Sequence, residues 1–161
     1  MGATLNNSAT IIMNLSKSKF IDNQTLIVED PEGEQFKVNF LFPLAMDDLE
    51  GVAHYVAESF DRNFSYDKSE MVYFVLCDVQ ANLGLSFSSW SSDRLKERSR
   101  IGTRLKEIRE KKGMEAKNIA RLTGIDPSNL SKIESGRYSV GLDILSKIAN
   151  AIGATVDIVE N

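Results

Sequence analysis

The chain has 161 residues, 42% of them hydrophobic and 26% charged, with 19 Lys plus Arg against 23 Asp plus Glu for a net charge of −4. That profile suits a globular protein with one ordinary core or two small ones, and it excludes a long disordered chain. No apolar run approaches the ~18–20 residues needed to span a bilayer, the start lacks a basic segment followed by an apolar one, and the only cysteine, Cys77, can form neither an internal disulfide nor a zinc site. A reducing, cytoplasmic setting with no membrane partner is expected.

The charge is divided unevenly along the chain. Residues 1–92 hold 5 Lys plus Arg against 13 Asp plus Glu, a balance of −8, whereas residues 93–161 hold 14 against 10, a balance of +4. Within 93–137 the count is 13 basic to 7 acidic, or +6. An acidic half joined to a basic half suggests that only the second half meets a polyanion, although a charge run is also what any solvated helix face looks like.

In chain order, residues 1–19 are read as disordered or extraneous to the fold, with Met13 as an alternative start. From Thr25 to Phe40 two β-branched or aromatic stretches flank Asp30-Pro31-Glu32-Gly33, a turn signal that predicts a hairpin. After Pro43, Leu49, Val52, Ala53, Val56 and Phe60 recur at helical spacing opposite Glu50, His54, Glu58 and Asp61, which predicts an amphipathic helix. From Asp67 to Leu83 an almost wholly apolar run, MVYFVLC, reads as a buried helix with Asp67 and Glu70 as a capping pair and Gly84 as its stop; its β-branched content also allows a strand. The serine-rich segment Leu85–Ser92 marks a boundary near residue 92, and its Phe87 and Trp90 are expected to pack on one of the flanking domains.

Beyond residue 100 short helical segments follow at regular intervals. Ile101–Lys112 carries Ile101, Leu105 and Ile108 on one face and stops at Gly113. Glu115–Thr123 carries Ile119 and Ala120 inward and stops at Gly124. Asp126 as N-cap and Pro127 at the first helical position open a third helix through Glu134, which Gly136 ends. A fourth, Leu142–Ile152, offers Leu142, Leu145, Ile148, Ala149 and Ile152 to the core, and ATVDIVE after it reads as a short carboxy-terminal strand. Two short helices around a tight, glycine-containing turn are what a helix-turn-helix requires.

Over about residues 101–153, the segments IGTRLKEIREKKGM, NIARLTGIDPSNLSKIESGR and LDILSKIANAIG resemble the phage-repressor-like (Xre) helix-turn-helix family. The likeness joins an Ile-Ala pair, Gly124 four residues after that alanine, an apolar-x-x-apolar-Glu-x-Gly run and a leucine-rich last helix. It implies double-stranded DNA as the partner, with the helix Pro127–Glu134 in the major groove. Pro127, Ser128, Asn129 and Lys132 would then face the bases, and Arg137, Tyr138 and the amides after Gly136 would hold phosphates. It also implies an ion pair between Arg109 and Glu134. Two unrelated surface charges are an equally good reading of those two residues. The sequence departs from the family where Glu115 and Ala116 replace the usual Thr or Ser followed by Gln, which removes a favoured N-cap and a backbone-contacting polar group. Val140 and Gly141 stand where a proline is usual.

The expected architecture is therefore an α+β amino-terminal domain, a β-hairpin plus two helices over 20–92, followed by an all-α helix-turn-helix domain over 93–161 with a short terminal strand. The first would serve dimerisation or partner binding, giving a homodimeric transcriptional regulator. Two alternatives stay open: an antitoxin whose acidic half covers a basic toxin, and a protein-interaction module. His54 between Glu50 and Glu58 is read as solvated rather than metal-binding, and Cys77, within an apolar run, as an inert thiol. With no glycine-rich phosphate loop or Ser-centred elbow, no catalytic, cofactor or metal residue is assigned, and no enzymatic role is expected.

Overall fold

The computed structural model describes residues 15–161, which form two compact units. One comprises the described residues up to Ser65 together with Ser69–Arg94, and the other comprises Tyr66–Lys68 and Leu95–Asn161. No described helix is long and apolar enough to cross a membrane.

The first unit is built on an antiparallel sheet of four strands in sequential order, β1 (Lys17–Phe20), β2 (Thr25–Glu29), β3 (Gln35–Phe40) and β4 (Phe87–Ser91). The predicted hairpin is its centre. Asp30 closes the turn by accepting from the amides of Glu32 and Glu34 at 2.9 and 3.0 Å, and Gly33 takes the left-handed conformation at φ +81°. Alternation then decides the faces: Leu26, Val28, Phe36, Val38 and Phe40 are fully buried, while Gln35 and Lys37 face water. The hairpin grew two outer strands that the sequence reading lacked. The part of the 1–19 expectation that falls on residues 17–19 is corrected, since Lys17–Phe20 pairs with Leu26–Glu29 in register; residues 1–14 and Met13 lie outside the described residues. The segment around Phe87 and Trp90 is a strand paired with β3, with an irregularity between Asn39 and Phe40, and both aromatics pack on this unit's core as their size required. Short polar strands such as KSKF and FSSWS give weak local signals, and the existing edges of β2 and β3 recruited them.

Helices α1 (Leu49–Arg62) and α2 (Lys68–Leu83) cover one face of the sheet, with Val52, Val56, Phe60, Met71, Val72, Val75 and Val79 in a common core. Phe36 and Phe60 meet with ring centroids 5.4 Å apart, and Phe40 meets Phe87 edge-on at 5.2 Å. The apolar run MVYFVLC is helical and only partly buried: Tyr73, Phe74 and Cys77 are exposed, so the expectation of a buried helix is corrected, and the thiol read as part of an apolar run lies at the surface. A helix lying on one side of a sheet has a single inward face, whatever the composition of the others.

Asp78 ties the two helices together. It accepts from Ser59 Oγ at 2.5 Å, Tyr55 Oη at 2.8 Å, Arg62 Nη2 at 2.6 Å and Asn82 Nδ2 at 2.8 Å. These donors, the Ser59 hydroxyl first, hold its carboxyl down to about 2 from the ordinary 3.8. A depressed carboxylate contributes stability that is complete above the ordinary value and is lost as pH falls towards 2. Asp78→Asn is accordingly expected to cost about 1–3 kcal/mol at neutral pH. Thermal unfolding at several pH values should show that deficit shrinking between roughly pH 4 and 2.

The second unit contains α3 (Asp93–Lys111), α4 (Ala116–Thr123), α5 (Pro127–Glu134) and α6 (Leu142–Ala151) around Leu105, Ile119, Ala120, Leu130, Ile133, Ile148 and Ile152. Helix α3 begins eight residues before the expected Ile101, because DRLKERSR is polar but composed largely of good helix formers. The expected carboxy-terminal strand is absent: Ala154–Asn161 have no regular structure, and Ile158 and Val159 are exposed. An isolated strand has no ladder partner within an all-helical unit.

Candidate nucleic-acid interface

Local chemistry sets the turn between α4 and α5. Helix α4 starts without a side-chain cap at Glu115, as the departure from Thr or Ser requires, and ends at Gly124 in the left-handed conformation, φ +76°, with its amide bonded to Ala120 O at 2.9 Å. Asp126 then caps α5 by accepting from the Ser128 amide at 2.8 Å, and Pro127 follows at the first helical position. The Ser128 hydroxyl also donates to Asp126 Oδ1 at 2.6 Å. These two bonds, the hydroxyl's first, keep the Asp126 carboxyl below the usual carboxylate range.

Helix α5 is seated by Leu130, fully buried, and Ile133, nearly so, leaving Pro127, Ser128, Asn129 and Ser131 exposed on the opposite side. Ser131 was missed by the sequence reading, although its place three residues after Ser128 puts it on the same outward face. Lys132 is half-buried. Its Nζ lies 3.2 Å from Tyr138 Oη and 4.9 Å from that ring's centroid, so the two residues form one unit and Tyr138 steers the ammonium.

Arg137 is engaged in a way no local signal could disclose. Its Nη2 lies 2.6 Å from Asp67 Oδ2 and its Nε donates to Asp67 Oδ1 at 3.2 Å, while its carbonyl accepts from the Lys68 amide at 3.4 Å. Asp67 is 2% exposed, so this ion pair is made on a buried carboxylate, with one hydrogen bond from Nε and Nη2 in close contact. Asp67 lies 70 residues from Arg137 in sequence.

The end of α5 is held from behind by Arg109. Its Nε donates to Glu134 Oε2 at 2.7 Å, its Nη2 to Glu134 Oε1 at 3.0 Å and its Nη1 to Met114 O at 2.9 Å. Both partners are buried, and the Glu134 carboxylate raises the guanidinium above its usual value. The Arg109–Glu134 pair implied by the family resemblance is thus present and bidentate. Gly102 brings α3 so close to the same helix end that a Cβ there would lie 2.5 Å from Glu134 O and nearer still to Ile133 O.

His54, by contrast, stands exposed beside Glu58, with Nε2 3.6 Å from Oε1, and no cluster of three metal-ligating side chains occurs among the described residues. Residues 105–159 match the model of a helix-turn-helix family, and no family model covers the amino-terminal region. No curated protein and no solved structure matches the chain.

Proposed function

We propose that the carboxy-terminal unit binds duplex DNA in a sequence-specific manner, with α5 in the major groove, and that the chain acts as a transcriptional regulator. The observation that carries this is α5 itself: a helix locked by the Arg109–Glu134 pair and capped by Asp126, with an outward row of small polar side chains that a groove can accept. The family match over residues 105–159 and the +6 balance of residues 93–137 support it.

The geometry refines the roles. Asn129, exposed in the first turn, pairs bidentately with adenine. Ser128 spends its proton on Asp126, which leaves its oxygen as an acceptor for the amino group of adenine or cytosine. Lys132, steered by Tyr138, donates to guanine, and Pro127 contributes van der Waals contact beside the bases. Arg137 retains Nη1 for a phosphate, but with Asp67 beside it adds little net charge. The antitoxin alternative leaned on a carboxy-terminal strand that is absent, and its remaining support is the acidic balance of residues 1–92.

Titrating the full chain with duplexes selected from a random pool, over a salt series, tests this reading. Each phosphate neutralised adds a slope of about −0.9 in log affinity against log salt. Asn129→Ala and Lys132→Ala are expected to cost about 1–3 kcal/mol on the preferred sequence and little on others. Equal loss on every sequence would remove those residues from base reading, and no salt-sensitive binding at all would overturn the proposal.

A further inference from the structure

The amino-terminal unit leaves a row of large apolar side chains uncovered. On α2, opposite the core residues Met71, Val75 and Val79, an outward stripe runs through Tyr73, Phe74, Cys77, Gln80 and Ala81 at helical spacing, and Gly84 follows just past the helix end. Tyr73 is 62% and Phe74 46% exposed, their rings 5.6 Å apart and edge-on. At its far end the stripe reaches a groove of about 770 Å³, lined by Gln80, Leu83 and Gly84 on one side and Leu41, Phe42 and Asp47 on the other.

We infer that this face is covered by the same face of a second copy, with the two α2 helices antiparallel and a two-fold axis beside Cys77. The inference rests on the regulator reading above, because one recognition helix spans only a few base pairs and such proteins present two.

Three features favour this occupant. The stripe is graded in size, bulky at Tyr73 and Phe74 and smaller at Gln80 and Ala81, so a two-fold axis at Cys77 sets Tyr73 of each copy over Ala81 of the other and Phe74 over Gln80 at the groove. The area is also adequate. Tyr73, Phe74, Leu41, Phe42 and Leu83 are between 37% and 71% exposed. At roughly 200 Å² for a large side chain they offer on the order of 500 Å² per copy, and the exposed Cys77, Gln80 and Ala81 between them bring the face towards the ~800 Å² per partner of a standard interface. Charge favours the same direction: Glu70, on the outward side one turn before Tyr73 and Phe74, would face its own twin in a parallel pair and is kept from it in an antiparallel one.

The test uses the full chain without DNA. Light scattering should give a dimer mass, and Phe74→Glu should raise the dissociation constant at least ~30-fold while leaving the circular dichroism unchanged, since the side chain is already half exposed. Diamide, which accepts two electrons and two protons as two thiols become a disulfide, should link Cys77 to its twin in the wild type and not in Phe74→Glu. A disulfide forms only when the Cα atoms come within about 4.4–6.8 Å. A monomeric wild type overturns the inference, as does a dimer indifferent to Phe74→Glu or one that diamide does not link through Cys77. A monomer that still binds DNA overturns the interface alone, whereas a Cys77-linked dimer without salt-sensitive DNA binding overturns the regulator reading alone.

Discussion

Replacing Arg109 or Glu134 alone by alanine is expected to destabilise the carboxy-terminal unit by about 3–5 kcal/mol, because each single change leaves the other charge buried without its counter-ion. The two residues are 9% and 8% exposed, and three of the arginine's N–H donors are already committed, two to Glu134 and one to Met114 O. Removing both partners should cost well under the sum of the single changes. A double-mutant cycle by urea unfolding measures that coupling. Strictly additive losses would mean that the pair contributes through packing of its two side chains rather than through their mutual charge. DNA binding should fall with stability, since Glu134 closes the last turn of α5 and Arg109 also holds the chain where α3 gives way to α4.

Gly102→Ala is expected to destabilise by about 3 kcal/mol, although alanine in a helix interior ordinarily gains about 1 kcal/mol over glycine. The added Cβ would meet the carbonyl oxygens of Ile133 and Glu134, the latter at 2.5 Å, and backbone cannot swing aside as the end of a flexible side chain can. Gly51 supplies the control. It lies within α1 with nothing within 4 Å of its would-be Cβ, so Gly51→Ala should stabilise by roughly 0.5–1 kcal/mol. Thermal unfolding of the two variants should move in opposite directions; a neutral Gly102→Ala would show that α3 and the end of α5 can separate without loss.

How much of the molecule could be read in advance follows from the range of the forces involved. Asp126, Pro127 and Gly124 act on their immediate neighbours, so α5 was bounded correctly at Pro127–Glu134 and the turn before it was recognisable from three residues. The hairpin was legible for the same reason, since Asp30 and Gly33 settle the turn and alternation assigns the faces of β3. The extension of α3 to Asp93 was missed because periodicity registers a buried face and the residues before Ile101 are mostly polar.

What sequence by itself determined, then, were features that one turn of chain decides: the cap and start of α5, the stop of α4 at Gly124, the hairpin turn and the inward seat of α5 at Leu130 and Ile133. Tertiary structure alone decided which weak segments became strands, since Lys17–Phe20 and Phe87–Ser91 owe their pairing to edges presented by β2 and β3. It decided equally that ATVDIVE stayed without one, having no edge to join in a helical unit. It also set the partners of charges, joining Arg137 to Asp67 across 70 residues and choosing a buried fork for Arg109 and Glu134 where the sequence left two unrelated surface charges equally open. The physical reason is that a charge or a strand edge is satisfied by whatever the folded chain brings within about 3 Å, a distance unrelated to separation along the sequence.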